Sequence, residues 1–500
     1  MTPYPLQPSL EEFRALAGQG NLIAVSTELL ADAETPVSAF QKIDSGGCSF
    51  LLESAEQNDQ GGRYSFVGAA PRAIFESRGR SIRITEDGQT QEFETQADPL
   101  HELQKLMGRY KQAAPPAGPT PAPFSGGAVG YLTYDMVRFF EPSIAAPPPD
   151  EIGLPESLFL ITDTVLIFDH RTRGLRIVCN AYVKNGEVDA AYAEAGARIQ
   201  EVAARLQQPA SLPPIFTSGQ FDPVTPRCNT TPEEYKQMVR DAQEYIHAGD
   251  IFQIVPSQRF ETDYPGDPLT LYRTLRFVNP SPYMFCLKFA GRFALVGSSP
   301  EVHVRAVNGH VAIRPIAGTN RRGATEEEDD RNAQLLLADP KERAEHLMLV
   351  DLARNDVGRI ANFGTVQVSD FMSIEKYSHV MHIVSHVSGR LRPDKNAYDV
   401  MRATFPAGTV SGSPKVRAMQ IINQLEKSKR GVYAGAVGYF GFDGNSDSCI
   451  ALRTVVLKDG KAYVQAGAGI VADSNPDAEH QECVNKAKAL MAAIARAAKH

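Results

Sequence analysis

The sequence predicts an α+β fold in which large antiparallel β-sheets form a sandwich covered by helices. The pairs Asp87-Gly88, Asn308-Gly309 and Asp459-Gly460 each separate two alternating runs, which is the strongest short-range signal for a β-hairpin. Segments with helical periodicity are mixed with these hairpins, which favours antiparallel sheets with helical covers. No strand is followed by a glycine-rich turn of the dinucleotide-binding type, so a Rossmann fold is excluded.

The first half of the chain carries its structured segments between proline-rich connections. Ala113–Pro123 and Ala145–Pro149 cannot form a helix or a central strand, and they are predicted to be surface connections. The structured segments are predicted from hydrophobic periodicity and turn residues. They are a hairpin at Ser81–Glu94, a strand and helical turn at Gly126–Phe140, a second buried hairpin from Ser157–Asp169 and Leu175–Val183, and an alanine-rich helix at Asp189–Gln207.

A proline-rich linker is predicted to divide the chain. Gln208–Pro226 contains five prolines, and we place the linker at 208–228, between an N-terminal region at 1–207 and a domain at 229–500. After the linker, Thr231-Pro232 supplies a cap residue and a first-position proline, and Gly249 can end the helix that they begin. A strand is predicted next, at Ile251–Glu261.

Composition and charge exclude several classes of function. The 500 residues carry a net charge of −8, so nucleic acid is not an expected partner. No apolar run approaches the ~20 residues of a membrane span, and Met1–Glu12 lacks the features of a signal peptide. The six cysteines are scattered, without the paired spacing of a zinc site or a disulfide framework. These observations predict reduced thiols in a cytoplasmic enzyme that contacts no membrane.

Two pairs of carboxylates stand at predicted helix starts. Asp339-Pro340 begins a helix that carries Glu342 and Glu345, and Asn475-Pro476 begins the last helix, which carries Glu479 and Glu482. Four carboxylates from two helices could form an oxygen-rich cage for a hard cation such as Mg²⁺. Each pair alone has a simpler explanation, because acids in a first turn complement the helix dipole. The acidic run Glu326–Asp330 is interpreted in that way, as a solvated helix start.

Polar residues also interrupt apolar strands. Each of them alone is more often structural than functional. Their number in one domain, beside Gly318, Gly408, Gly467 and Gly469, indicates a polar pocket for an anionic ligand. From the residues alone we therefore expect a magnesium-dependent enzyme that acts on a small carboxylate. The interrupting residues are Gln253, Glu301, His382 and Arg453.

Four motifs carry a resemblance to a known family. They are PIAGT at Pro315–Thr319, DLARND at Asp351–Asp356, FPAGTVSGSPK at Phe405–Lys415, and QAGAGIVADSNPDAEHQECVNKA at Gln465–Ala487. Together they resemble the chorismate-utilising enzymes over roughly residues 228–490. The resemblance implies that family's fold, with an N-terminal α+β regulatory region intertwined with the catalytic domain.

The resemblance implies a role for each matching residue. Magnesium would be held by four carboxylates, some through water, and would neutralise and orient the ring carboxylate of chorismate. These ligands would be Glu342, Glu345, Glu479 and Glu482. Arg453 and Tyr433 would hold the enolpyruvyl carboxylate. The other substrate contacts would come from Gly318, Thr319, Gly467, Ala468, Gly469 and Lys486.

The implied reaction is the amination of chorismate. Ammonia attacks ring C2, the C4 hydroxyl leaves, and elimination of pyruvate makes the ring aromatic and yields anthranilate. Glu301 would protonate the leaving hydroxyl, and Thr409 would contact the substrate near the ring. His382 would take the C2 proton, with Glu301 or a bound water as the alternative base. Gln253 stands where isochorismate- and salicylate-forming relatives place a water-activating lysine, and a neutral amide suits ammonia as the nucleophile.

The resemblance also implies an inhibitor and a partner. LLES at Leu51–Ser54 and NPSPYMF at Asn279–Phe285 resemble the tryptophan-inhibitor site of the anthranilate-forming large subunits. None of the six cysteines stands in the nucleophile turn of a glutaminase, so ammonia would come from a separate glutamine amidotransferase subunit that contacts the N-terminal region, in a heterotetramer. L-Tryptophan would be bound by Glu53, Ser54, Pro282, Tyr283 and Met284.

Two alternatives remain open at the level of sequence. Aminodeoxychorismate synthase, which forms the para isomer, usually reads PIKGT, with a lysine that attacks the ring, whereas this chain has Ala317 at that position. A tryptophan-binding sensor without catalysis would not need Glu301, His382 or the two carboxylate pairs. The first comparison favours the ortho product, and the second favours a catalytic enzyme over a sensor.

Overall fold

Two large antiparallel sheets with helical covers form the computed structural model, which describes residues 4–54, 62–114, 122–216, 224–376 and 380–499. Within these residues the helices are α1 Leu10–Leu16, α2 Pro36–Ile43, α3 Pro99–Met107, α4 Val137–Phe140, α5 Val188–Leu206, α6 Pro232–His247, α7 Pro268–Val278, α8 Glu326–Ala338, α9 Pro340–Gly358, α10 Ala397–Thr404, α11 Lys415–Leu425 and α12 Pro476–Ala497.

The strands of the described residues fall in both halves of the chain. Those of the first half are β1 Leu22–Leu30, β2 Cys48–Glu53, β3 Tyr64–Ala69, β4 Ala73–Arg78, β5 Ser81–Glu86, β6 Gln89–Glu94, β7 Gly127–Leu132, β8 Ser157–Thr162, β9 Thr164–Asp169, β10 Gly174–Tyr182 and β11 Arg227–Cys228. Those of the second half are β12 Gln253–Ile254, β13 Ser257–Asp263, β14 Tyr283–Phe289, β15 Ala294–Ser299, β16 Val302–Val307, β17 His310–Ile313, β18 Ile316–Arg321, β19 Gln367–Lys376, β20 Val380–Arg390, β21 Gly412–Ser413, β22 Ala436–Gly441, β23 Ser446–Ile450, β24 Thr454–Lys458 and β25 Lys461–Gly467.

Both sheets combine strands from the two sides of the predicted linker. The first sheet has the order β1-β10-β9-β3-β2-β14-β15-β24-β25-β13-β11. The second has the order β18-β20-β17-β16-β23-β22-β7-β8-β4-β5-β6, with β19 also paired to β20, and β12 and β21 pair separately. The junctions are β2 with β14 and β7 with β22. The predicted α+β fold with an intertwined N-terminal region is therefore confirmed.

The apolar core has an inner layer between the sheets and outer layers under the helices. Strand β8 illustrates the division, because successive side chains of a strand point to opposite faces. Leu158 and Leu160 belong to the inner cluster, with Phe50 of the first sheet. Phe159 and Ile161 belong to the cluster beneath helices α3 and α10. This layered packing is the predicted sandwich with helical covers.

Local predictions that rest on turn and cap residues are confirmed. Asp87 and Gly88 have φ angles of 50° and 75°, the positive values that a type I′ hairpin turn needs, and the other two predicted hairpins have the same pattern. Helix α6 begins after Thr231, whose side chain forms a capping box with Glu234. The proline-rich linker at 208–228 stays a prediction as a domain boundary, and residues 115–121 and 217–223 lie outside the described residues.

Two strand predictions were wrong because long-range contacts interrupt the chain. Ser157–Asp169 is two strands in different sheets, since Asp163 pairs with Arg72 between them, and the hairpin is β9 with β10. The predicted strand at Ile251–Glu261 is divided into β12 and β13. Pro256 has no N–H to donate to a ladder, and the Val255 carbonyl accepts a hydrogen bond from Arg430.

Three further observations bear on predicted features. The acidic run Glu326–Asp330 is not fully solvated, because Asp329 is buried and binds Arg322 and the Gly323 amide. All six cysteines are free thiols. In the part of the chain that the structure describes, no helix combines the length and the apolar character needed to cross a bilayer.

Candidate active site

Two helix N-termini bring the four predicted metal ligands into one region. The Asp339 side chain caps α9 by accepting hydrogen bonds from the amides of Lys341 and Glu342. Asn475 caps α12 in the same way. The caps place Glu342 and Glu345 on the first turns of α9, and Glu479 and Glu482 on the first turns of α12.

These carboxylates act on one another electrostatically. Burial raises the pKa of Glu342, and the charges of Glu345 and Glu482 raise it further. Burial and the charge of Glu482 also raise the pKa of Glu479. Among the described residues, no group of three or more His, Cys, Asp or Glu side chains is arranged to hold a metal ion. The donor set itself suits a hard divalent cation, because it offers only oxygen atoms whose mutual repulsion a cation would relieve.

Gln253 joins the carboxylate region to the glycine-rich strand end. Its Nε2 donates a hydrogen bond to Glu345 Oε1 at 3.2 Å, and the side chain is buried. A Cβ added at Gly469 would lie 2.9 Å from the same Nε2 atom, so a larger residue there would displace the Gln253 amide. The predicted catalytic amide and the predicted substrate cradle therefore adjoin each other.

His382 lies beside the predicted substrate residues of β18. Its Nδ1 is 2.8 Å from the Gly318 carbonyl oxygen and 3.2 Å from Thr319 Oγ1. Because a carbonyl only accepts hydrogen bonds, we assign the proton to Nδ1, which leaves the ring lone pair on Nε2. Burial, aided by the charge of Arg453, lowers the pKa of His382. The imidazole is therefore neutral at neutral pH, as a general base must be.

Glu301 is a carboxyl group with a perturbed pKa at the centre of the site. Burial raises the pKa of Glu301, against smaller opposing effects from the Thr409 hydroxyl and the charges of Lys486 and Arg453. A raised pKa enlarges the protonated fraction near neutral pH, which suits a general acid. Glu301 lies between β15 and β16, and these effects indicate that it is near the turn around Thr409, helix α12 and Arg453, the residue before β24.

The predicted carboxylate-binding residues surround this acid. Arg453 Nη1 donates to Asn279 Oδ1 at 3.1 Å, which holds the guanidinium in place. Lys486 Nζ donates to the Gly467 carbonyl at 3.0 Å and pairs with Glu482 at 2.8 Å. A Cβ added at Gly467 would lie 3.0 Å from the hydroxyl of Tyr433, and Ala468 is buried beside it.

The predicted inhibitor residues line a separate cavity of about 790 Å³. Glu53, Ser54, Pro282, Tyr283 and Met284 all contribute to its wall. This volume lies within the range of small-molecule sites. The cavity extends between the two sheets, and we refer to it below as the regulatory cavity.

Charged groups in the wall of the regulatory cavity already have protein partners. Glu53 accepts a hydrogen bond from the Tyr272 hydroxyl at 2.5 Å, and Arg276 approaches it to 3.5 Å. The Tyr283 hydroxyl donates to Asp447 Oδ1 at 2.8 Å. Arg305, the cation nearest to that pair, lies 2.9 Å from Asp447.

Sequence reasoning missed two features of the site. Asn279 was recognised only as part of the inhibitor motif, yet its side chain binds Arg453 of the active site. Arg430 was not singled out, although it is buried among site segments. Asn279 is the first residue of the motif NPSPYMF, so the motif could have identified it. The residues around Arg430 do not distinguish it from a surface arginine.

The geometry defines a class of protein. Cationic side chains and backbone amides that can bind the carboxylates of a ligand lie around a carboxyl group with a raised pKa. A neutral histidine and several further carboxylate side chains belong to the same region. This arrangement is that of an acid–base enzyme for a small, multiply charged carboxylic acid.

Comparison with known proteins names the family. The profile described as chorismate binding enzyme matches residues 48–492. Anthranilate synthase component 1 of Acetivibrio thermocellus is 46% identical over 98% of this chain and 99% of its own length. Its counterpart from Aquifex aeolicus is 48% identical, with 98% of each chain covered. The chain belongs to the family of chorismate binding enzymes.

Solved structures share the architecture. Anthranilate synthase component I of Streptococcus pneumoniae matches with a TM-score of 0.74 and 36% identity, over 93% of this chain and 99% of that one. The menaquinone-specific isochorismate synthase of Escherichia coli matches with a TM-score of 0.70 at 18% identity, over 97% and 98% of the two chains. The second likeness is one of fold.

Proposed function

We propose that this chain converts chorismate and ammonia into anthranilate and pyruvate. The observation that carries the proposal is that neutral side chains, Gln253 and Ala317, stand at two positions where related enzymes have lysine. A lysine at position 253 would activate water, and a lysine at position 317 would attack the ring. Gln253 is buried against Glu345, where it can neither activate water nor attack the ring. The relatives named as anthranilate synthase component 1, similar over nearly the whole chain, support the same product.

Substrate binding would use the cations around Glu301. Arg453, held by Asn279, presents a planar fork to the enolpyruvyl carboxylate, with the Tyr433 hydroxyl beside it. The amides of Gly467–Gly469 and the ammonium group of Lys486 form the cradle for the ring carboxylate. Magnesium, held by Glu342, Glu345, Glu479 and Glu482, would supply charge neutralisation at that carboxylate.

Proton transfers would divide between two groups. Ammonia forms the C2–N bond while the C4–O bond breaks, and Glu301 donates its proton so that the hydroxyl leaves as water. The ammonium group formed at C2 releases one proton to solvent. His382 then takes the C2 proton, the bond between ring C3 and the ether oxygen breaks, and the released enolpyruvate takes up a proton at its methylene carbon to become pyruvate. The raised pKa of Glu301 and the lowered pKa of His382 support this division, because each favours the form that its step requires.

Ammonia would be supplied by a separate glutamine amidotransferase subunit. Five of the six cysteines are buried and Cys228 is exposed, and none stands in a glutaminase nucleophile turn. L-Tryptophan would occupy the regulatory cavity and lower activity. The inhibitor motifs and the cavity that they line support the tryptophan proposal. The lack of a glutaminase nucleophile turn among the six cysteines supports the separate subunit.

One assay separates the proposed activity from its rivals. Purified chain is mixed with chorismate, Mg²⁺ and an ammonium salt, and the products are resolved by chromatography with fluorescence detection. We expect anthranilate, dependent on both Mg²⁺ and ammonium. An aminodeoxychorismate product, or no consumption of chorismate, would contradict the proposal. Replacing ammonium with glutamine should abolish turnover, and activity with glutamine alone would contradict the need for a second subunit.

A further inference from the structure

A buried ion pair ties together segments that carry the proposed active site. Arg430 donates to both carboxylate oxygens of Glu426, with the shortest distance 2.6 Å, and their side chains are only 2% and 5% exposed. A buried ion pair adds little net stability unless further hydrogen bonds satisfy it. In this protein the further hydrogen bonds of Arg430 and Glu426 are made to the backbone of other segments.

Arg430 binds two backbone carbonyls beside predicted catalytic residues. Nη1 donates to the Val410 carbonyl at 2.7 Å, directly after Thr409. Nη2 donates to the Val255 carbonyl at 2.5 Å, two residues after Gln253. The planar guanidinium therefore sets the distance between the Thr409 turn and the Gln253 segment.

Glu426 extends the same connections to the substrate cradle. One of its oxygens accepts hydrogen bonds from both the amide and the hydroxyl of Ser257, each at 2.8 Å. Ser257 is paired with Gly467 at the end of β25. The Arg430 guanidinium also lies 5.6 Å from the centre of the Tyr433 ring.

We propose that Arg430 and Glu426 form a positioning clamp that holds the Thr409 turn, the Gln253 segment and the Gly467 strand end in register around the substrate. Neither side chain is a catalytic residue, because both act through the backbone and side chains of others. A misplacement of about 1 Å at a reacting group can cost on the order of 10²-fold in rate. The clamp inference rests on the proposed activity, and it concerns how that activity is organised.

The first test replaces the Arg430 guanidinium but keeps the positive charge. In Arg430→Lys, one ammonium cannot reach Glu426, Val410 and Val255 together. We expect kcat to fall by about 10- to 100-fold, with KM for chorismate changed by less than about threefold, since Arg453 and Lys486 remain. The matched control is Arg72→Lys, which weakens the pair between partly buried Arg72 and buried Asp163, outside the site. It should lose thermal stability but keep kcat within about twofold.

A second variant guards against simple unfolding. The double substitution Glu426→Leu with Arg430→Met replaces the pair by apolar side chains, an exchange that buried ion pairs often tolerate. We expect a folded protein that keeps the loss of kcat. Parental kcat in a folded Arg430→Lys or double variant would overturn the clamp, as would an equal loss in Arg72→Lys.

A readout that needs no turnover separates this inference from the proposed activity. Amide hydrogen exchange at residues 253–257 and 408–412 should be faster in Arg430→Lys than in Arg72→Lys, because the clamp no longer restrains those segments. Equal exchange in the two variants would overturn the clamp whatever the parent catalyses. A parent that forms no anthranilate would contradict the proposed activity alone.

Discussion

The active site and the regulatory cavity use charged side chains in opposite ways. At the active site, burial and neighbouring carboxylates raise the pKa of Glu342 and Glu479, so like charges face one another without full compensation. In the wall of the regulatory cavity, Glu53 is bound by Tyr272, and Asp447 is bound by Tyr283 and Arg305. A cation would relieve the repulsion in the first region, whereas the charges in the second are already balanced by protein partners.

The two regions are nevertheless connected through one segment. NPSPYMF begins with Asn279, which binds Arg453 in the active site, and ends in strand β14, whose Tyr283 and Met284 line the regulatory cavity. Pro300 and Val302 line the cavity on either side of Glu301. A ligand in the cavity can therefore act on the catalytic residues through these segments. It alters catalysis if it binds the active and inactive arrangements of the segments with different affinity.

The largest effect is expected at the proposed general acid. Glu301→Gln keeps the shape of the side chain but has no proton to donate, so we expect kcat/KM to fall by about 10²- to 10⁴-fold. Steady-state anthranilate fluorescence measures the loss. The regulatory cavity should be unaffected, so tryptophan should still raise the thermal midpoint of the variant. A loss of less than about tenfold would remove Glu301 from the role of acid.

Loss of a charge in the carboxylate cluster should come next. Glu342→Gln and Glu482→Gln each remove a hard anionic ligand, and we expect kcat/KM to fall by about 100-fold, with partial recovery in excess Mg²⁺. The titration is followed as rate against Mg²⁺ concentration. Glu327→Gln is the matched control, since Glu327 stands exposed in the first turn of α8. Normal metal dependence in Glu482→Gln would exclude that residue as a ligand.

A change in the regulatory cavity should spare catalysis. Ser54→Phe places a bulky ring in the proposed tryptophan site, so inhibition should weaken by at least about tenfold while kcat stays within about twofold. Ser54→Ala keeps the cavity open and should weaken inhibition much less. If Ser54→Phe remains as sensitive as the parent, or if the parent ignores tryptophan, the assignment of the cavity is wrong.

A smaller effect is expected from changing the nucleophile position. Gln253→Lys places an amine where it can deprotonate water, so a minor hydroxylated product should accompany anthranilate. Chromatography of the product mixture detects it. Gln253→Leu, which removes the amide without supplying an amine, should yield no such product. Anthranilate alone, at the parental rate, from Gln253→Lys would show that this position does not select the nucleophile.

The smallest expected effect is a shift in the pH dependence of kcat/KM. Burial lowers the pKa of His382, so the neutral base persists below its ordinary pKa of 6.5 and is lost only as pH falls further. The acid limb of kcat/KM, corrected at each pH for the fraction of ammonia, should therefore lie below pH 6.5 and disappear in His382→Gln. A limb above pH 6.5, or one retained in His382→Gln, would assign it to another group.

The sequence by itself determined features that depend on neighbouring residues. The turn at Asp87-Gly88 needs only two residues that tolerate positive φ, and the helix starts at Asp339 and Asn475 need only a side chain that binds the next amides. The spacing of Glu342 and Glu345 likewise follows from helical periodicity. The four motifs that indicated the family, beginning with Pro315–Thr319, could also be recognised from the sequence because each is a continuous stretch of residues.

Tertiary structure decided the features whose partners are distant in the chain. Arg453 meets Asn279 across 174 positions, and Arg430 meets the Val255 carbonyl across 175, so no local pattern predicts either contact. Asp163 divides a run of strand residues because its partner Arg72 comes from the connection between β3 and β4. Hydrophobic periodicity describes which face of an element is buried, but a buried charge is satisfied only by what the fold brings to it.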